Sequence, residues 1–253
     1  MIQPGLVSVT FRKLPVKEII DLCVKARING IEWGGDVHVP HGDTKKAETV
    51  KKMCDDAGLT ICSYGSYYNF DKTDLPFEAV LETAVYLGAP VIRIWAGTKG
   101  SDEASEAYRK RIARESRQAA ELAGKENIIL GYEFHRKSLT DTAESARHLL
   151  QDEASHHDIG TYWQPPVPES FEERKAGLKL ILDKLLWLHV FSWVPGTTER
   201  RPLASGADEW RSYFGIVREG GGSHWALLEF VKDDSPEMFL KDAAVLKNLL
   251  EEG

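Results

Sequence analysis

A chain of 253 residues, 42% apolar and 28% charged, can bury one large core and has the length of a single eight-unit α/β barrel. Its formal charge of −7 (39 acidic against 32 basic residues) argues against general affinity for nucleic acid. The opening Met1–Gly5 lacks the basic and apolar regions of a signal peptide, and no apolar run reaches membrane-spanning length, so a cytoplasmic protein without membrane contact is expected. Cys23, Cys54 and Cys62 are odd in number, lack CxxC spacing and read as reduced core residues.

In chain order, eight apolar runs read as strands: Leu6 to Phe11, Gly30 to Trp33, Leu59 to Tyr64, Val91 to Trp95, Ile128 to Glu133, Ile159 to Trp163, Leu186 to Ser192 and Trp225 to Phe230. Helical patterns separate them. Val16, Ile19, Ile20, Cys23 and Val24 make one apolar face; Phe77, Val80, Leu81 and Ala84 make another; Phe239, Ala243, Leu246, Leu249 and Leu250 make the last. Ser170-Phe171-Glu172-Glu173 is a capping box, and Ser235-Pro236 sets a cap before a first-turn proline. Thr140 and Asp141 open a further helix, and Gly30, Gly58 and Gly88 stand where left-handed C-caps are expected. Eight βα units without a GxGxxG motif predict one closed parallel (β/α)8 barrel over residues 1–253, not an open dinucleotide-binding sheet.

Four strand ends carry ligand-type residues: Glu133, Gln164, His189 and Glu229. A buried carboxylate is costly unless something pairs with it, and successive strand ends of a barrel meet at one mouth. Glu133 and His135 share a face of one extended segment, and His189 shares its face with Trp187 and Phe191. Each alone has an ordinary reading as a cap, an ion-pair partner or a core histidine. Together they suit a cation that takes carboxylate oxygen and imidazole nitrogen: manganese, magnesium, cobalt or zinc.

The chain resembles the xylose-isomerase-like TIM-barrel superfamily, in particular its sugar phosphate isomerase/epimerase group. The resemblance runs through Ser8 to Phe11, Gly30-Ile31-Glu32-Trp33-Gly34-Gly35, Ile92-Arg93-Ile94-Trp95-Ala96-Gly97, Tyr132-Glu133-Phe134-His135 with Leu139-Thr140-Asp141-Thr142, His189, and Leu228-Glu229. It implies a divalent metal at the mouth bound by Glu133, His189 and Glu229, with Gln164 where relatives carry Asp. Losing that charge weakens metal binding and sharpens Lewis acidity. The implied chemistry is isomerisation or epimerisation of a small carbohydrate through an enediolate, with Glu133 and Glu229 as the proton-transferring residues.

Around this centre, Trp33, Trp95, Trp163 and Trp193 offer an apolar wall for a sugar ring. Arg93, Lys137, Arg200 and Arg201, with His135 and Trp95, are candidates to bind substrate. Gly97-Thr98-Lys99-Gly100-Ser101 could cradle a phosphate, Gly220-Gly221-Gly222 reads as a turn at the opposite end, and His38 and His41 as exposed loop residues. Two other functions stay open: a metal-dependent dehydratase of a cyclic polyol or dehydroshikimate-like acid, and a non-catalytic sugar-binding barrel. An apurinic-site endonuclease would need several zinc ions and more ligands than these strand ends offer, and the acidic charge counts against it. An Asp on strand six with a nearby His would favour the dehydratase, where this chain has Gln164-Pro165-Pro166-Val167. Whether copies self-associate is also open.

Overall fold

Eight parallel strands close on themselves in the computed structural model, which describes residues 1–71 and 75–252. They are β1 (Ile2–Val7), β2 (Gly30–Gly34), β3 (Thr60–Asn69), β4 (Val91–Trp95), β5 (Ile129–Tyr132), β6 (Ile159–Trp163), β7 (Leu185–Val190) and β8 (His224–Leu228). Each pairs with its sequence neighbours, and β1 closes the ring on β8 with Ile2 opposite His224. The helices α1 (Val16–Ala26), α2 (Thr44–Asp56), α3 (Phe77–Leu87), α4 (Glu106–Gly124), α5 (Ala143–His148), α6 (Phe171–Leu180), α7 (Ala207–Gly220) and α8 (Pro236–Glu251) connect them. None is long and apolar enough to cross a membrane.

The apolar periodicities do what they predict: Val16, Ile19, Ile20 and Cys23 of α1, and Phe239, Ala243, Leu246 and Leu249 of α8, are buried against the sheet. Val24 is the exception at 49% exposed. The Ser170 capping box and the Ser235 cap before Pro236 both form. All three cysteines are buried and free.

Several boundaries differ from expectation, β7 and β8 each stopping two residues early, and three differences have identifiable reasons. The first strand is Ile2–Val7, because Ser8–Phe11 turns into a 3₁₀ segment. There the Ser8 hydroxyl accepts from the Gly34 amide and bonds His38 Nδ1, both at 2.9 Å, which draws the chain out of the ladder. β3 runs on to Asn69 through an irregularity between Gly65 and Tyr68. Finally, α1 ends with Arg27 in the left-handed region (φ 55°), while Gly30 is a strand residue whose added Cβ would lie 2.5 Å from the Trp225 ring. Gly30 is there for space, not for a cap. Gly58 and Gly88 do take left-handed conformations after α2 and α3.

Candidate metal centre and active site

Side chains from β2, β4, the end of β5, β7 and the end of β8 meet inside the barrel. Those strands are mostly not neighbours, so their contacts cross the lumen. Alternate residues face inward, which puts Arg93 two positions deeper than Trp95 and His189 two positions above Trp187. Val7, Cys62, Val91, Tyr162, Trp225 and Leu227 pack together with Trp187 and Ile129 as an apolar plug. The polar groups sit with their backs to it.

Glu133, His189 and Glu229 are all buried, and one ligand atom from each lies within 4.8 Å of the others. His189 Nδ1 is 3.4 Å from Glu229 Oε2 and 4.0 Å from Glu133 Oε1. Gln164 joins them: its Nε2 donates to the Phe134 carbonyl at 2.8 Å, which turns Oε1 to within 3.2 Å of His189 Nδ1. Burial chiefly, with Arg93 adding to it against the pull of Glu32, drives the His189 pKa down to about 3, so the ring is a neutral ligand. Burial also pushes the Glu229 carboxyl up; Arg93 opposes the rise and Glu32 adds to it. Glu229 Oε2 has no hydrogen-bond partner although it is buried. Three oxygens thus converge on a neutral imidazole. A divalent ion fits that donor set, and an unpartnered buried carboxylate oxygen is the atom it would satisfy.

Beneath this cluster lies a buried network. The Arg93 Nε donates to Glu32 Oε1 at 2.8 Å, and its NH1 pairs with Glu133 Oε2. Ser63 donates to Glu32 Oε2 at 2.8 Å, and His189 Nε2 faces Glu32 Oε1 at 3.8 Å. Burial alone would raise Glu32, but Arg93 above all, then His189 and Ser63, hold it below its usual value. Burial likewise disfavours the Arg93 cation, and Glu32 first, joined by Tyr67, Glu229 and Tyr162, more than offsets it.

Above the cluster opens a cavity of about 960 Å³, lined by Arg12, Tyr67, Trp95, Glu133, His135, Arg136, Lys137, Gln164, Trp193, Glu229 and Phe230, among others. Trp95 Nε1 donates to Glu133 Oε2 at 2.6 Å, and the same indole stacks on His135 with centroids 4.6 Å apart. Burial lowers the His135 pKa from its ordinary value, so this ring too is neutral near pH 7. Tyr67 (φ 56°), Lys137 (φ 60°) and Phe230 (φ 52°) are held left-handed on this wall, a conformation that costs energy outside glycine and clusters at functional sites.

Several expected site residues are placed elsewhere or otherwise engaged. Arg93 is 1% exposed and committed to Glu32 and Glu133, so it offers no open cation to an anionic substrate. Arg200 pairs with Asp234 and lies over the Phe230 ring, while Arg201 donates to the Ser192 hydroxyl and lines a smaller neighbouring pocket. Lys137 reaches the main cavity. Of the four indoles, Trp95 and Trp193 line it, whereas Trp33 and Trp163 are core residues, the latter packed on Trp210 and Tyr213.

The Gly97–Ser101 loop is not an open phosphate cradle. Its Thr98 and Ser101 amides already donate, at 2.9 Å each, to Asp71 and Asp141. Asp141 therefore serves that loop, and Thr142 rather than Thr140 caps α5. His38 is buried on Ser8, and His41 bonds the Tyr64 hydroxyl at 2.6 Å; neither is a free loop residue. Gly221 and Gly222 do form the expected turn after α7.

Sequence reasoning missed Glu32, Arg12 and Tyr67. For Glu32 a signal existed: a carboxylate between Ile31 and Trp33 in a fully buried strand demands a partner, and Arg93 is the matching charge in mid-strand.

Residues 20–249 match the family described as xylose isomerase-like TIM barrel. The chain belongs to this family. It is 25% identical to a 3-dehydroshikimate dehydratase of Bacillus anthracis, an alignment covering 96% of each protein. Among solved structures, a probable 3-DHS dehydratase from Bacillus anthracis superposes with a TM-score of 0.82 at 22% identity, covering 98% of this chain and 99% of that one. A D-psicose 3-epimerase from Clostridium cellulolyticum H10 superposes with a TM-score of 0.69 at 13% identity, covering 98% of each.

Proposed function

We propose that this barrel is a metal-dependent dehydratase acting on a small acidic keto-polyol of the dehydroshikimate class. The observation that carries the reading is His135 on the cavity wall, stacked on the same Trp95 indole that donates to Glu133. Glu133 Oε2 is taken by Arg93 and Trp95, and Oε1 lies 4.0 Å from His189 Nδ1 within the candidate metal cluster, so Glu133 is a poor choice for a mobile base. His135, neutral and supported on Trp95, stands beside it on the cavity wall. A base of that kind can take a proton from a carbon next to a ketone.

A divalent cation held by Glu133, His189 and Glu229, with Gln164 Oε1 beside them, would supply Lewis acidity to the substrate's carbonyl when bound. The chain's own part is the proton. His135 takes it from the carbon between the ketone and the carbon bearing the leaving hydroxyl. The C–O bond then breaks, and the hydroxyl leaves as water on receiving the proton back from the imidazolium. The new double bond completes conjugation, and tautomerisation of the ketone makes the ring aromatic. Arg136 and Lys137 line the mouth without an ion-pair partner among the described residues, which suits a substrate carboxylate. The similarity to the dehydratase over nearly the whole chain supports the same reading.

Epimerisation of a ketose is the second reading, favoured by Glu229. Its carboxylate, one oxygen of which is buried without a hydrogen-bond partner, lines the cavity on the strand across the barrel from β4, and a second proton-transferring group is what inversion requires. Both reactions begin with proton removal beside a ketone, so the products separate them. Metal-replete protein incubated in deuterium oxide with ketoses, their phosphates and cyclic keto acids should lose water from a cyclic keto acid. Deuterium exchange with recovery of an epimer would replace this reading with the second. Inertness towards every compound would favour a binding protein.

A further inference from the structure

We propose that Glu32 is a positioning residue for the metal centre, fixing which nitrogen of His189 faces the ion and tying Glu133 to the same anchor. The proposal deepens the metal-dependent reading and rests on it. His189 has one nitrogen on each side of the problem. Nδ1 faces Gln164, Glu229 and Glu133, whereas Nε2 faces Glu32 Oε1 at 3.8 Å and has no hydrogen-bond partner. An imidazole that ligates through Nδ1 must carry its proton on Nε2, and a ligating histidine usually presents that proton to a carboxylate. Glu32 is the carboxylate in that direction, fully buried and kept ionised chiefly by Arg93.

The carboxylate itself is held in place. Ser63 and the Arg93 Nε each bond one of its oxygens at 2.8 Å. Gly65 leaves the room: a Cβ there would come within 2.8 Å of Arg93 NH2 and 2.9 Å of Glu32 Oε1. Arg93 then reaches from Glu32 to Glu133 Oε2, so one buried ion pair orients a nitrogen ligand from β7 and an oxygen ligand from the end of β5. Neither Glu32 nor Arg93 lines the cavity, so neither is a catalytic residue in this account.

Glu32→Gln preserves shape and removes the charge. Isothermal titration with manganese alone should show affinity falling about 10–100-fold, the usual loss when a partner behind a metal ligand is removed. Breaking a buried ion pair also destabilises, so the double variant Glu32→Leu, Arg93→Met replaces both charges with apolar groups, a change that often leaves stability intact. It should melt near the wild-type temperature yet keep the weakened metal affinity. In magnesium-loaded wild type, the ¹⁵N shifts of His189 should report a proton on Nε2, and in Glu32→Gln a mixture of tautomers. A folded double variant with wild-type manganese affinity, or a His189 proton on Nδ1 in the loaded wild type, would overturn the proposal. Wild type that binds neither ion would instead remove the metal-dependent reading itself.

Discussion

Gln164 presents its carbonyl oxygen to His189 Nδ1 at 3.2 Å, because its amide nitrogen is spent on the Phe134 carbonyl at 2.8 Å. A neutral oxygen therefore stands where a carboxylate would add a charge to the metal centre. Gln164→Asp should bind manganese more tightly. A unit charge ~4 Å from another interacts by about 4 kcal/mol at an effective dielectric of ~20, and desolvation offsets much of it, leaving roughly a tenfold gain. Competition against a fluorescent chelator measures this directly. Equal or weaker affinity in the variant would take Gln164 out of the coordination sphere.

Metal binding should release a proton. Burial raises the metal-free Glu229 carboxyl above its ordinary value, whereas a cation takes the ionised form. The sign follows: as pH climbs above about 4.5, the unfolded chain gives up a proton that folded, metal-free Glu229 retains, so the metal-free protein loses stability until the raised pKa is passed. Over the same window metal affinity should rise by up to about tenfold per pH unit. His189 contributes nothing there, since its pKa of about 3 keeps it neutral throughout. Titrations in buffers of different ionisation heat would count the proton. An affinity that stays flat from about pH 5 to 8 would exclude Glu229 as a ligand with a raised pKa.

His135→Asn should lower turnover by about 10²–10⁴-fold, the usual worth of a general base, without changing manganese affinity. In the wild type, kcat/KM should rise with pH along one limb whose midpoint lies below about 6.5, because burial lowers the His135 pKa and only the neutral ring can accept a proton. A variant with full activity, or a limb centred well above that value, would move the base elsewhere, with Glu229 first in line.

The barrel was legible in the sequence because its strands and helices repeat two different apolar periods, and because Glu133, His189 and Glu229 each follow an apolar run. The interior was not. Whether Arg93 faces a substrate or another side chain depends on Glu32, which is 61 residues away and two strands across. Trp33 and Trp163 point outward into the helix layer although they lie near the same strand ends as Trp95. Local spacing cannot tell these cases apart, since strand irregularities between Ile31 and Glu32 and after Thr161 alter the register. Tyr67 was invisible for a related reason. Its left-handed backbone at an irregular stretch of β3 brings its ring within 4.6 Å of the Arg93 guanidinium.

The most direct test of the dehydratase reading follows ultraviolet absorbance while manganese-loaded protein acts on 3-dehydroshikimate. An absorbance rise from an aromatic dihydroxybenzoate, abolished by a chelator and restored by excess manganese, is the predicted result. Metal-replete, folded protein that leaves 3-dehydroshikimate unchanged, while exchanging the carbon-bound hydrogen of a ketose with solvent, would contradict it.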